Sequence, residues 1–493
     1  RRCEDACTRG RVDAAVAIDE VKKFIAQRDL DAATRYVPPV VTPTRAGGFE
    51  QKIAIIGAGP AGLSCAFYLA EKGYKPVVFE KNEHPGGMLT YGIPSFKLQK
   101  DVIEAEVEII RLMGAEFRYG VEVGRDVTLD ELREQGFKAF YVAIGCQGGR
   151  LAGIPGEDAE DVTVAVDFLR EVNSGKIDTL SGRTIVVGGG NVAIDVARNA
   201  CRLGSEHVEM FCLESEVQMP ASEEERREAV EDGAHISCGW GPKEIHLDEA
   251  GRVCGITFKR CTRVFDDEGR FAPEYDENDL RRVDADRVVM SIGQSIVWGD
   301  LLAGSKVELG RGQGALADPQ TYQTAEPDIF VGGDVYTGPS FAIDAIAAGH
   351  EAAVSIHRFV QPGSTLTIGR NQRRYTALDR DDVVLESYDN ASREVAHVDR
   401  EREKAAPFSE YVETFTEEQV RAETARCLGC GASIVDPNKC IGCGLCTTKC
   451  AFDAIHLDRD RPECSTMVKY EQKLPSLGKY ALKRAIKIKF GRK

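Results

Sequence analysis

Lys52-Ile-Ala-Ile-Ile-Gly57-Ala-Gly59-Pro-Ala-Gly62 is the stretch on which the fold turns. Its unbroken apolar run reads as a strand buried on both faces, as in a parallel sheet. Three glycines end the run, and a helical pattern follows from Ala61 toward Lys72. Gly57 permits a tight turn, Gly59 lets backbone approach a pyrophosphate, and Gly62 lets helix and strand pack closely. The helix N-terminus then faces the phosphate charge. A second strand pattern, Pro76-Val-Val-Phe-Glu80, ends in an acid 18 residues after Gly62, where a ribose-binding carboxylate belongs. Strand, turn, helix and acid together read as a dinucleotide site.

The texture then repeats. Thr184-Ile-Val-Val-Gly188 opens a second unit, and Gly188-Gly-Gly190-Asn191-Val-Ala193 leads into a helix expected over 192–203. Ala193 takes the third glycine's place, which the fingerprint allows. The strand His207-Val-Glu-Met-Phe-Cys212 leads to Glu214, 21 residues after Ala193. A carboxylate there accepts hydrogen bonds from ribose hydroxyls and repels a 2′-phosphate, which instead needs arginine. NAD(H) is therefore expected over NADP(H). Later, Gly332-Gly333-Asp334 follows the strand 329–331. In two-dinucleotide flavoproteins a late Gly-Asp places an aspartate near the flavin's ribityl-phosphate chain, and the helix after it, here 341–358, points its N-terminus at the flavin ring. The first site is expected to hold FAD.

Composition fits an ordinary globular chain of about three domains. Of 493 residues, 29% are charged and 43% hydrophobic, and the net charge is −16. Such an acidic balance argues against nucleic acid or an anionic membrane as main partner. No stretch approaches the roughly 18 uninterrupted apolar residues of a membrane span. No signal peptide is read, so the cytoplasm is the expected compartment. The first residue is Arg1, and the chain is expected to have lost its true beginning.

Sixteen cysteines are the outlier, and seven of them (Cys427, Cys430, Cys440, Cys443, Cys446, Cys450 and Cys464) fall within 38 residues. Cys440-Ile-Gly-Cys443-Gly-Leu-Cys446-Thr-Thr-Lys-Cys450 is the C-x2-C-x2-C-x3-C run of bacterial ferredoxins. Three thiolates on a tight loop suit three irons of a cubane, whereas zinc needs only four ligands in two pairs. Cys427-Leu-Gly-Cys430-Gly-Ala-Ser433 reads as a degenerate first half. Two arrangements stay open. In one, Cys440, Cys443 and Cys446 bind one cluster while Cys427, Cys430 and Cys450 contribute to a second, with Cys464 a candidate for either. In the other, a single cluster sits on the 440–450 run. The scattered Cys65, Cys146, Cys201, Cys212, Cys238, Cys254 and Cys261 contain no C-x2-C or C-x4-C pair. They read as structural, so electrons leave the flavin without a thiol step.

With these motifs the chain resembles the small (beta) subunit of NAD(P)H-dependent glutamate synthase and related FAD/iron–sulfur subunits. The relatives include the large subunit of NADH-dependent ferredoxin:NADP oxidoreductase. The resemblance runs from residue 1 to about 360. Gly86-Gly87-Met-Leu-Thr-Tyr-Gly-Ile-Pro94 matches the family's flavin-proximal segment, and Ala143-Ile-Gly145 its return strand. Ser291-Ile-Gly293-Gln294 matches the strand near the nicotinamide, and Gly332-Gly333-Asp334 the closing flavin motif. Cys3-Glu-Asp-Ala-Cys7-Thr-Arg-Gly-Arg-Val-Asp13 resembles the N-terminal iron–sulfur segment, which implies that Cys3 and Cys7 are the last two ligands of a further cluster. NADPH-using members carry arginines before a Met-Pro-Ala, and this chain has Cys212-Leu-Glu214 before Met219-Pro-Ala221.

The expected architecture is α/β, a two-dinucleotide flavoprotein with Rossmann-like FAD and NAD(P) domains. Its parts are a helical iron–sulfur segment (1–46), the FAD domain (47–175 and 321–360), the NAD(P) domain (176–320), a connector (361–425), a ferredoxin-like 4Fe–4S domain (426–466) and a basic tail (467–493). From 468 to 493 the tail has seven Lys and two Arg against Glu471, with Leu482, Ile486 and Phe490 every fourth residue. It reads as an amphipathic helix for its own acidic body, a partner subunit or a membrane surface. The expected function is passage of electrons from NADH through FAD and 4Fe–4S clusters to other redox subunits, ferredoxin being a candidate. Electron bifurcation and glutamate synthesis are the alternatives. Hydride transfer to a flavin needs alignment, so no catalytic acid or base is expected.

Overall fold

The computed structural model describes residues 2–41, 48–368, 370, 388–430, 435, 440–449, 455–457 and 469–490. The chain divides into two compact units, 1–368 with 385–428, and 369–384 with 429–493. In the first unit, helix α1 (Ile18–Leu30) precedes strand β1 (Lys52–Ile56), which turns into α2 (Pro60–Glu71). Then come β2 (Val77–Glu80), α3 (Lys100–Leu112), β3 (Glu116–Tyr119) and β4 (Phe137–Val142). A second series starts with β5 (Val162–Val164), α4 (Ala165–Asn173), β6 (Arg183–Val187) and α5 (Asn191–Arg202). It continues through β7 (His207–Cys212), α6 (Glu223–Glu231) and β8 (His235–Cys238). Three antiparallel strands follow, β9 (Trp240–Leu247), β10 (Val253–Phe265) and β11 (Phe271–Val283). Strand β12 (Arg287–Met290) rejoins the second series, and β13 (Ile329–Val331) with α7 (Ala342–Val360) rejoins the first.

Two five-stranded parallel sheets result, ordered β13-β4-β1-β2-β3 and β5-β12-β6-β7-β8. Each puts the strand before its glycine turn at the centre. Both β1 and β6 expose their first residue and bury the next four, because helices or strands cover both faces. Ile53 and Ile55 pack on one side with Cys65, Leu69 and Ile356, and Ala54 and Ile56 on the other with Leu132, Phe140 and Val335. In the second sheet Val186 meets Ala193, Ile194 and Ala197 of α5, while Ile185 and Val187 meet the antiparallel sheet. The Phe211 and Phe258 rings stack there at 3.9 Å; each such buried side chain is worth about 1.5–3 kcal/mol.

Two glycines are dictated by close approach. A Cβ on Gly62 would stand 1.9 Å from the Gly57 carbonyl oxygen, and one on Gly349 would stand 2.2 Å from that of Ala61. The first lets α2 leave β1 abruptly, and the second lets α7 lie against α2.

The structure redraws three expected boundaries. Residues 162–173 belong with the second sheet, because β5 pairs with β12 in the register Val162↔Val288. Leu301 and Ala315, expected in the NAD(P) domain, are buried in the core of the first sheet. The third change concerns 361–425, read as a connector. Within it, helix α8 (Glu417–Ala425) and the residues around it are folded onto the N-terminal segment. Arg9 and Arg426 are each 1% exposed, and Glu423 is fully buried. Arg9 donates to Asp13 at 2.8 Å and to the Arg426 carbonyl at 3.1 Å. Arg426 donates to Glu423 at 2.7 Å, to Asp13 at 3.0 Å and to the Ala14 carbonyl at 2.7 Å. Glu423 also accepts the Ala17 and Glu394 amides at 2.8 and 2.7 Å. In a polar sequence these charges look solvated; the contacts that bury them join segments about 400 residues apart.

In the second unit a helix of residues 445–449 follows the cysteine loop, and a long helix, α9 (Tyr470–Phe490), occupies the tail. Described side chains along α9 are exposed. Among the described residues, no helix is long and apolar enough to cross a membrane.

Candidate functional site

The first turn opens on a cavity of about 470 Å³ at the carboxyl edge of its sheet. Gly57, Gly59, Glu80, Gly87, Gly145, Gly333 and Asp334 all line it, so the structure gathers these expected flavin-site residues. Gly62 lies beneath, in the α2–β1 contact. The N-terminus of α2 directs its free amides into the cavity, a favourable seat for a pyrophosphate. Glu80 ends β2 and is 3% exposed. It accepts the Ala58 amide at 2.8 Å and the Asn82 amide at 2.9 Å, which fixes the carboxylate beside the turn. Burial pushes the Asp334 carboxyl up, partly opposed by the Ser340 amide that donates to it at 3.3 Å. A glycine floor and a helix N-terminus fit a dinucleotide, and the donor set suits FAD.

The second cavity, about 850 Å³, is lined by Gly188, Gly190, Asn191, Glu214 and Gly293. Ala193 is buried in α5 behind it. Glu214 leans over the turn, its Oε2 3.0 Å from where a Cβ on Gly189 would stand. Sequence reading missed the far wall, where Lys259, Phe271, Pro273 and Tyr275 come from the antiparallel sheet. Lys259 is engaged twice, with Glu277 at 2.8 Å and over the Tyr275 ring at 4.1 Å. Nothing local marks these residues, since their position follows from strand pairing.

Also missed was a charged cluster between the two sheets. Lys97 bridges Asp195 at 2.6 Å and Glu225. Asp195 lines the first cavity. Burial pushes its carboxyl up to about 6, with Lys97 opposing. Burial alone would lower Lys97, but Asp195 and Glu225 outweigh it and hold the ammonium above its ordinary range. Lys100 has burial with little charge compensation and falls to about 8, donating to the Leu89 carbonyl at 2.9 Å.

The scattered thiols need one correction. Cys65, Cys146 and Cys201 are separate, and burial pushes all three up, Cys146 and Cys201 to about 12. Cys212 and Cys238, however, bring their Sγ atoms to 3.7 Å. Adjacent strands create that pair, so no sequence spacing could reveal it.

Of the expected cluster ligands, Cys3 is exposed and Cys7 half-buried, the latter immediately before the buried Arg9 segment. Cys427 lies one residue before the end of the first unit, next to Arg426, whereas Cys430 falls in the second. Cys440, Cys443 and Cys446 are exposed; the first two lie on a loop whose Gly442 and Gly444 take φ of 66° and 77°, and Cys446 lies in the helix 445–449 that follows it. Cys450 and Cys464 lie outside the described residues. Among the described residues no three such groups converge on one metal; the four-thiolate run nevertheless has the donor chemistry of a cubane cluster.

Two parallel sheets of matching order, each with a glycine turn and an acid beyond it, define an α/β oxidoreductase built around two dinucleotides. The chain belongs to the pyridine nucleotide-disulphide oxidoreductase family, whose model matches residues 51–349, and so binds FAD and NAD(P). A 4Fe-4S binding domain model matches residues 433–456. The chain is 34% identical over 463 residues to the NADP(+)-dependent formate dehydrogenase subunit beta of Moorella thermoacetica, covering 87% of this chain and 63% of that one. It thus spans a little under two thirds of that relative. It is 34% identical over 380 residues to the glutamate synthase [NADPH] small chain of Escherichia coli, covering 73% and 78%. Mycobacterium tuberculosis FprA in complex with NADPH shares the fold, with a TM-score of 0.55 at 20% identity over 63% of this chain and 84% of that one.

Proposed function

We propose that this chain is the electron-input subunit of a larger redox complex, oxidising NADH at the second turn and passing electrons to a partner subunit. The first cavity holds FAD, and the 440–450 run holds a 4Fe–4S cluster. When bound, FAD accepts hydride from a nicotinamide and releases electrons singly to iron–sulfur centres. The protein's own share is placement. The α2 amides and Glu80 fix one dinucleotide, the α5 amides and Glu214 fix the other, and the two cavities share Asn191, Val192, Gln294 and Pro339. That shared wall supports a reading in which the reactive ends of the two dinucleotides meet. The partner reading draws on relatives whose names describe subunits of complexes.

The observation that carries the choice of NADH is Glu214, whose carboxylate faces the turn. It can accept from both ribose hydroxyls. Against a 2′-phosphate, two unit charges 4 Å apart repel by about 1 kcal/mol in water and more in a partly dry groove. We expect NADH to bind at least tenfold more tightly than NADPH, about 1.4 kcal/mol. Titrating both nucleotides into the unmodified protein and into Glu214→Arg tests this, and the variant should narrow or reverse the preference. Equal affinities in the unmodified protein would refute the reading.

A further inference from the structure

Two thiols 26 residues apart in sequence meet beside the second glycine turn. Cys212 and Cys238 are register partners at the ends of neighbouring parallel strands β7 and β8. Cys212 is buried, and its Cβ lies 2.9 Å from where a Cβ on Gly189 would stand, so it underlies the turn. Its Sγ also lies 3.7 Å from the Glu214 carbonyl oxygen. Cys238 is half-buried and opens on a groove of about 520 Å³ that it lines with Gly239, Arg260 and Arg263. The Arg260 guanidinium lies against Gly239, its Cζ 3.2 Å from a Cβ position there. The Gly239 amide in turn donates to the Glu214 carbonyl at 2.9 Å. Both thiols are therefore tied to the backbone that carries Glu214.

We propose that Cys212 and Cys238 are a reversible redox pair through which hydrogen peroxide weakens nicotinamide-nucleotide binding. This rests on the reading of Glu214 as the ribose acceptor. Cys238 is the thiol that reacts first, its sulfur attacking the peroxide, because it faces a groove beside a guanidinium, the electropositive and partly exposed setting of reactive cysteines. Its sulfur takes one peroxide oxygen as the O–O bond breaks, giving a sulfenic acid, and the departing hydroxide leaves as water with the thiol proton. The Cys212 thiol then attacks that sulfur; the S–S bond forms, the S–O bond breaks and a second water leaves. One peroxide is reduced by two electrons as two thiols become one disulfide. Burial, with the neighbouring Cys238, pushes the Cys212 thiol up, which leaves the first reaction with peroxide to Cys238. The Sγ atoms must close from 3.7 Å to about 2.05 Å. With Cys212 already against Gly189, the turn and the Glu214 segment must absorb that closure.

The test uses the whole protein with its cofactors, prepared without oxygen and given a short pulse of equimolar hydrogen peroxide. Peptide mass spectrometry after alkylation should find a Cys212–Cys238 disulfide, and NADH titration should show at least tenfold weaker binding, restored by dithiothreitol. Cys238→Ser, treated alike, should keep its NADH affinity and reports any loss caused by cluster damage. Cys212→Ser should stop at a sulfenic acid on Cys238 that dimedone traps. Absence of both disulfide and sulfenic acid in the unmodified protein overturns the proposal, as does a disulfide that leaves NADH affinity unchanged. Unaltered NADH binding in reduced Glu214→Ala would instead sink the ribose reading, independently of the thiol result.

Discussion

Glu423→Ala should release the N-terminal segment from the body while leaving both parallel sheets folded. Glu423 is fully buried and holds Arg426, the Ala17 amide and the Glu394 amide together. Removing one partner of a buried ion pair costs about 3–5 kcal/mol, and among the described carboxylates Arg426 would be left with only Asp13, which it shares with Arg9. Each orphaned amide adds about 1–3 kcal/mol unless water reaches it. The sum, at least about 5 kcal/mol with both amides left dry, is comparable to the free energy that holds a small folded unit together. Amide hydrogen exchange measures the outcome by segment. Protection should fall in 2–30 and 388–426 and persist in β1, β4 and β6, which share no contact with Glu423. Glu423→Gln keeps an acceptor of the same shape and should cost less. Unchanged exchange of the 2–30 segment in Glu423→Ala would refute the idea that these charges hold it in place.

Three further outcomes are expected. Because burial pushes the folded-state Asp195 carboxyl from 3.8 up to about 6, the native protein keeps a proton that the unfolded chain has released between these values. Stability from this group is therefore greatest below about pH 4 and falls as pH rises through 6, by at most about 3 kcal/mol; melting of Asp195→Asn at pH 5 and 7 should show that part of the slope removed. Iodoacetamide should spare Cys65, Cys146 and Cys201 in the native protein, since burial disfavours their thiolates, and replacing any one with Ala should leave NADH-dependent flavin reduction intact. Abolished reduction at normal FAD content would expose a thiol step. Deleting 478–493 should leave FAD content and NADH-dependent flavin reduction unchanged, because the linings described for both cavities come from the first unit; loss of either would show that the tail supports the site.

Both glycine turns, with Glu80 and Glu214, were legible because the physics is local. A tight turn, a close approach and a helix start leave their mark within a dozen residues, and the acid follows at a set distance. What escaped was decided by pairing across the chain. The strand β5 has only three residues, too few to carry a pattern, so the expected boundary at 175 fell beyond it. Lys259 and Tyr275 reach the second cavity only because two long strands cross it. Cys212 and Cys238 meet through sheet register, and Arg9 and Arg426 look like solvated charges until the fold brings both onto Asp13. Periodicity reports which face of an element is apolar, but not which distant element will cover it.

The Arg9–Arg426 contact also sets an order in time. The two residues are 417 positions apart, and synthesis proceeds at roughly 5–20 residues per second. For on the order of 20–80 s the newly made Arg9 segment has no acceptor to dock against, while both glycine-turn sheets can already form behind it. The segment carrying Cys3 and Cys7 is thus made long before residue 426 and is among the last secured. During that interval its two thiols stay open to their surroundings, and the segment can close only when residue 426 emerges from the ribosome.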